Sequence, residues 1–120
     1  VMEDLIFGPL NLGFSPEVAK LKAEETMSAL GISGFGDRIS WKMSGGEKKL
    51  AAIASILVMR PRILLLDEPL NELDGKAAKR IRDTVANLEC AQIIISHDAD
   101  FLKDIGATIV ELKDGILVRE

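Results

Sequence analysis

Two unbroken apolar runs constrain the fold more than any other feature: Arg-Ile-Leu-Leu-Leu at 62–66 and Gln-Ile-Ile-Ile-Ser at 92–96. Each is too short for a helix and shows no polar alternation, the pattern of a strand buried on both faces, as in parallel sheets. Parallel neighbours need a crossover, and the intervening residues supply one: from about Gly75 to Leu88, Ala78, Ile81, Val85 and Leu88 share a helical face. A short helix follows Asp98, and Ala-Thr-Ile-Val-Glu-Leu and Ile-Leu-Val-Arg-Glu then flank Lys113-Asp114-Gly115 as a hairpin with Asp-Gly at its turn. The alternation predicts an α/β unit with right-handed crossovers and a C-terminal antiparallel hairpin.

The first half is helical. Residues 1–14, interrupted by Gly8, Pro9 and Gly13, read as an irregular, partly buried loop. Ser15 is placed to cap a helix that starts with Pro16 and Glu17, runs to Leu30 and stops at Gly31. Residues 31–42 carry three glycines and read as loop. Ser44 and Glu47 then form a capping box, and Leu50, Ile53, Ala54 and Leu57 recur at helical period until Arg60-Pro61 ends the helix. Trp41 is expected in the core or at its rim, and Lys48-Lys49 on a solvated helix face.

Length and composition narrow the class. At 120 residues the chain is about one domain. A net charge of −4 argues against a nucleic-acid surface. Cys90 is the single cysteine, which excludes an internal disulfide and suits a small apolar position in a reducing compartment. No apolar stretch reaches the roughly 18–20 residues of a membrane span.

Three places carry chemistry. Asp67-Glu68 closes the first apolar run, and carboxylates at the end of a buried strand lose hydration unless they are used or paired. The edge outside strand carboxyl ends is where α/β sheets bind ligands. An Asp there is suited to Mg²⁺, and a neighbouring Glu to polarising a water. His97 closes the second run and is expected on the same edge. Ser44-Gly45-Gly46 opens a helix whose first N–H groups lack intrahelical partners and favour anions. The capping box accounts for Ser44 and Glu47. Two glycines in a first helical turn each lower helix propensity by about 1 kcal/mol, so a demand other than helix stability places them.

Together these motifs resemble the ATP-binding-cassette ATPases. Met-Ser-Gly-Gly-Glu (43–47), Ile-Leu-Leu-Leu-Asp-Glu-Pro (63–69), Asn-Glu-Leu-Asp (71–74) and Ile-Ile-Ile-Ser-His-Asp (93–98) match, in order and spacing, that family's signature loop, Walker B strand with catalytic glutamate, D-loop and switch histidine. The resemblance covers the whole chain. The segment Glu-Asp-Leu-Ile-Phe-Gly-Pro-Leu-Asn-Leu-Gly (3–13) is similar to importer ATPases of the energy-coupling-factor and cobalt/nickel type. Met43 stands where Leu is usual and Glu47 where Gln is common, while the D-loop, Leu70 to Asp74, keeps its Asp but departs at Asn71 and Glu72. No G-x-x-x-x-G-K-[ST] phosphate cradle occurs; Gly75-Lys76 lacks both the earlier glycine and the following Ser/Thr. The adenine-stacking aromatic and the Q-loop glutamine are missing too. The expectation is therefore the C-terminal half of a cassette, with a helical signature subdomain at 1–60 and half of the core at 61–120.

The resemblance implies a head-to-tail dimer sharing two nucleotides. Ser44, Gly45 and Gly46, with Glu47 behind them, would hold the γ-phosphate of ATP seated on the opposite subunit. Asp67 would support Mg²⁺, Glu68 would activate water, His97 would contact the γ-phosphate, and Asp74 would cross the interface. Phe7, Pro9 and Leu10 either line a groove for a membrane permease or pack under the helices. The implied function is the ATPase subunit of a membrane importer for a metal ion or vitamin, peripheral at the cytoplasmic face. Such a chain, without its phosphate cradle, is expected to be inactive alone. A soluble ribosome-acting ATPase of the translation-factor type is the alternative, ahead of a chromosome-maintenance ATPase and of a purely structural piece.

Overall fold

The computed structural model describes residues 1–39 and 42–119. Trp41 lies outside the described residues, as does Glu120 at the end of the last expected strand. The element order is α1 (Met2–Asn11), α2 (Pro16–Ala29), a 3₁₀ turn (Ser33–Phe35), α3 (Gly45–Leu57), β1 (Ile63–Asp67), α4 (Gly75–Ala86), β2 (Ala91–Ile95), α5 (Ala99–Asp104), β3 (Val110–Lys113) and β4 (Ile116–Arg119).

The loop expected at 1–14 is largely the helix α1. Glu3 and Asp4 sit in its first turn, where acidic groups suit the helix dipole. Val1, Leu5 and Pro9 follow at i, i+4 and i+8, and all three are buried. Packing against α2 and α3 thus overrides two residues that disfavour helix. Gly8 faces the Met59 side chain, whose sulfur would lie 2.5 Å from a Cβ there and would have to swing aside to admit one. Met2 N–H donates to Gly36 O at 3.2 Å near the helix start.

The other helices form as their caps dictate. Ser15 Oγ accepts from Val18 N–H at 3.3 Å, with Pro16 in the first turn, and α2 buries Ala19, Ala23 and Met27. Leu50, Ile53 and Ala54 turn α3 toward the core, while Leu57 is half-buried. Ile81 and Val85 do the same for α4. These side chains meet Leu5, Ile32, Val58 and Phe101 in one core.

β1 and β2 pair in parallel from Ile63↔Ala91 to Asp67↔Ile95, with α4 as the crossover. The expectation of strands buried on both faces needs correction. Leu64 and Leu66 are buried, but Leu65 is 71% exposed and Ile93 58% exposed, and Ile63 and Ile95 are bare beside them. Helices cover one face only; nothing among the described residues covers the other. β3 and β4 form the antiparallel hairpin, joined by Asp114 and Gly115 with φ of 52° and 75°, the backbone of a type I′ turn.

The bare face makes a solubility prediction. The 120-residue chain on its own is expected to self-associate at micromolar concentration, and Ile63→Thr, Leu65→Thr, Ile93→Thr and Ile95→Thr together to return it toward monomer in sedimentation velocity. Because these side chains are already exposed, each substitution should change stability by no more than about 0.5 kcal/mol. A monodisperse wild-type chain would show that the face needs no cover.

Candidate functional site: a strand-end acid pair and a glycine-started helix

The carboxyl ends of β1 and β2 bring three predicted residues to one edge. Asp67 is opposite Ile95 and exposed, and His97 follows Ile95 by two residues. Glu68 lies between them in the left-handed region, φ 47°. That conformation costs a non-glycine residue about 1–3 kcal/mol. Glu68 N–H donates to Ile95 O at 2.8 Å, which closes the turn against the neighbouring strand. The same turn carries the Glu68 side chain back over β2, so that its Oε1 is 3.3 Å from Nε2 of His97. The carboxylate is half-covered and the imidazole almost fully exposed.

No cluster of three or more acidic, histidine or cysteine side chains suited to a metal exists among the described residues. Asp67, exposed at the end of β1, would by itself offer a cation one carboxylate. That donor set fits Mg²⁺, which keeps several waters and takes one or two carboxylates together with substrate phosphates.

Two cations fix the frame of this edge, and neither was predicted. Arg82 on α4 donates to Asp98 Oδ2 at 2.9 Å and to Asp104 Oδ2 at 3.2 Å. Asp98 also caps α5 through Phe101 N–H, so the segment just after His97 is held at both ends. Lys49 corrects the reading of a solvated Lys48-Lys49 pair. Lys48 is exposed, but the Lys49 ammonium donates to Glu68 O at 3.2 Å, Pro69 O at 3.2 Å and Asn71 O at 2.9 Å. The available signal was its spacing: Lys49 lies three residues after buried Gly46 and four before Ile53, at the rim of the buried face.

The helix tip is a complete capping box. Glu47 N–H donates to Ser44 Oγ at 3.2 Å, and Ser44 N–H donates to Glu47 Oε1 at 3.0 Å. Arg38 pairs with the second oxygen of Glu47. The Ser44 N–H first, and then Arg38, hold the Glu47 carboxyl below its ordinary value near 4.5. Ser44 and Gly45 are exposed, while Gly46 is buried. The two glycines have different reasons. A Cβ on Gly46 would sit 2.4 Å from Ala77 Cβ, so close approach of α3 to α4 requires it. A Cβ on Gly45 would meet only Leu73, at 4.0 Å, so packing does not account for that glycine. Asp74 caps α4, accepting from Ala77 N–H at 2.8 Å. Of the three residues near the first site region, Pro9 is buried, whereas Phe7 and Leu10 are exposed. Phe7, Glu3 and Asp4 line a groove of about 660 Å³ against Ala51, Ala52 and Ser55 of α3.

Comparison with known proteins shows the family and the fold. The family described as ABC transporter matches residues 5–71, more than half of the chain. An ABC transporter ATP-binding protein of Nitratidesulfovibrio vulgaris is 50% identical over 117 residues, which cover 98% of this chain and 43% of that protein. CbiO1 of Clostridium perfringens, part of the CbiONQ transporter complex, superposes with a TM-score of 0.87 at 28% identity, over 98% of this chain and 48% of that one. The ADP conformation of another ABC cassette gives 0.82 at 24% identity, over 99% of this chain and 54% of that one, and speaks to the fold alone. The chain belongs to the ABC transporter ATP-binding family. Its α/β architecture is part of the P-loop NTPase fold of those cassettes, and it spans about half the length of the curated relatives it matches.

The two glycines should separate by stability. In the full-length protein, Gly46→Ala is expected to lower stability by about 1–3 kcal/mol through overpacking against Ala77. Gly45→Ala should leave the thermal midpoint unchanged or slightly raised, since alanine favours helix. Equal effects in thermal unfolding would refute the distinction. Glu47 sets a pH dependence. Its lowered folded pKa contributes stability above the unfolded value, and that contribution is lost as pH falls through the folded one. The stability gap between wild type and Glu47→Gln should hold steady near neutrality and shrink as pH falls below the ordinary carboxylate range. A gap independent of pH would mean that the Glu47 charge contributes nothing.

Proposed function

We propose that this chain is part of the ATP-hydrolysing subunit of an ABC membrane importer, and that residues 44–47, 67–68, 74 and 97 form halves of nucleotide sites shared between two cassettes. The observation that carries the reading is the convergence of Asp67, Glu68 and His97 on one strand edge, with Glu68 and His97 3.3 Å apart. Glu68 holds a carboxylate, half-shielded from solvent, where it can take a proton from an attacking water. His97 orients that carboxylate and offers its imidazole to the terminal phosphate. Asp67 provides the carboxylate for Mg²⁺, whose charge offsets that of the phosphate oxygens when ATP is bound. Ser44, Gly45 and Gly46 present the positive end of α3 to the γ-phosphate of an ATP held by the opposite cassette, and Glu47 keeps that turn in shape. Asp74, at the cap of α4, faces the partner cassette.

The domain reading follows the same lines. Residues 1–60 form the helical signature subdomain and 61–120 half of the core, and the bare Ile63, Leu65, Ile93 and Ile95 face is where the phosphate-cradle half packs. The groove between α1 and α3, with Phe7 at its rim, receives a helix of the transmembrane permease. Similarity to CbiO1, part of a CbiONQ transporter complex, supports a transporter subunit, and the likeness of residues 3–13 to energy-coupling-factor and cobalt/nickel importer ATPases favours a metal ion or a vitamin as cargo. Among the described residues no helix is long and apolar enough to cross a membrane, which suits a peripheral subunit on the cytoplasmic face.

In the full-length protein, Glu68→Gln should bind ATP with near-normal affinity and accumulate as an ATP-bound dimer on gel filtration, with turnover reduced at least about 100-fold. A variant that binds ATP and remains monomeric would overturn the reading. The 120-residue chain alone should show no ATPase activity; turnover abolished by Glu68→Gln would contradict the need for the missing cradle.

A further inference from the structure

The Lys49 clasp has no role in the reading above. Lys49 is a half-buried residue between α3 and the loop after β1, where its ammonium meets three carbonyls and, among the described residues, no carboxylate. A lysine on a solvated face gains nothing from such a position, because it gives up side-chain freedom and hydration. The three carbonyls belong to Glu68, Pro69 and Asn71, the residues that bend away from the sheet edge. Glu68 itself is left-handed at φ 47°. Its N–H is fixed to Ile95 O, and its carbonyl accepts from Asn71 N–H at 3.1 Å within the turn and from the Lys49 ammonium at 3.2 Å, the one of these two donors that comes from α3. Three residues before Lys49, Gly46 seats against Ala77 and Leu73, which follow the same loop. The first two turns of α3 are therefore locked to residues 68–77 by one charged clasp and one close packing contact.

We propose that Lys49 is a positioning residue. It holds the Glu68 backbone in its left-handed conformation and ties the catalytic carboxylate of one site to the Ser44–Gly46 turn that serves the other. The inference rests on the composite-site reading given above. A phosphate gripped by the turn stiffens the first turns of α3. Lys49 passes that restraint to the Glu68 carbonyl, and the carboxylate of the same chain is set in place for its own nucleotide. Lys49 acts through the backbone carbonyls of residues 68, 69 and 71. The consequence is cooperativity between two sites that share no ligand.

The test uses the full-length protein with Lys49→Met and Lys49→Arg. Losing a set of hydrogen bonds from a charged donor should reduce kcat by about tenfold or more, with ATP dissociation constants within about twofold of wild type. The Hill coefficient for ATP should fall toward about 1. Lys49→Arg, which restores donors and charge, should recover most of the rate and the cooperativity. Amide exchange over residues 68–74 should accelerate in Lys49→Met and not in Lys49→Arg. If Lys49→Met is too unstable to purify, Lys49→Gln replaces it under the same criteria. Wild-type kcat and Hill coefficient, or a rate loss matched by an equal loss of folded protein, would overturn the proposal. Should Glu68→Gln trap the dimer while Lys49→Met changes nothing, only this inference fails. Should Glu68→Gln fail to trap, the composite-site reading fails first.

Discussion

The turn at Glu68 is the constraint on which the rest depends. A β-strand that ends in the left-handed region at a glutamate is held against its own preference. Besides the Asn71 N–H of its own turn, which donates to its carbonyl, Glu68 has three partners: Ile95 O takes its N–H, the Lys49 ammonium donates to its carbonyl, and His97 meets its carboxylate at 3.3 Å. Each partner comes from a different element: β2, α3 and the segment before α5. The polar edge is thus built within the sheet half and braced from the helical half by Lys49. Strain at one residue, about 1–3 kcal/mol, is offset by charge-assisted hydrogen bonds of about the same size.

The same docking explains why the glycine-started helix begins as it does. Its cap is local, built from Ser44 and Glu47 and reinforced by Arg38. Its second glycine is tertiary, because Ala77 leaves no room for a side chain. Gly45 alone has neither a capping nor a packing reason. It is the exposed position whose missing side chain leaves space at the helix tip, so the anion-binding argument rests on Gly45 rather than on the pair.

Much of this was legible in the sequence, and the exceptions are physical. Ser15 and Ser44 cap the helices they precede, a short helix follows Asp98, and the Asp-Gly hairpin forms its turn, because these are local interactions between residues a few positions apart. Asp67 and His97 share an edge because strand ends in a parallel pair must. α1 was misread because Gly8 and Pro9 act locally as breakers, whereas the burial of Val1, Leu5 and Pro9 is decided by α2 and α3. The bare face of Leu65 and Ile93 was hidden for a related reason: an apolar run reports what a strand needs, not what the chain in hand provides. Lys49 was read as solvated because its carbonyl partners lie about twenty residues away along the chain. Arg82 joins α4 to α5 across a similar gap.

The central claim is that the Ser44–Gly46 turn and the Asp67-Glu68 edge serve nucleotides on a shared interface. The most direct measurement is a structure of the full-length protein bearing Glu68→Gln with ATP and Mg²⁺. The account predicts the Gly45 N–H within hydrogen-bonding distance of a γ-phosphate seated on the partner, with Asp67 beside the cation of its own chain. A nucleotide bound with the Ser44–Gly46 turn facing open solvent would contradict it.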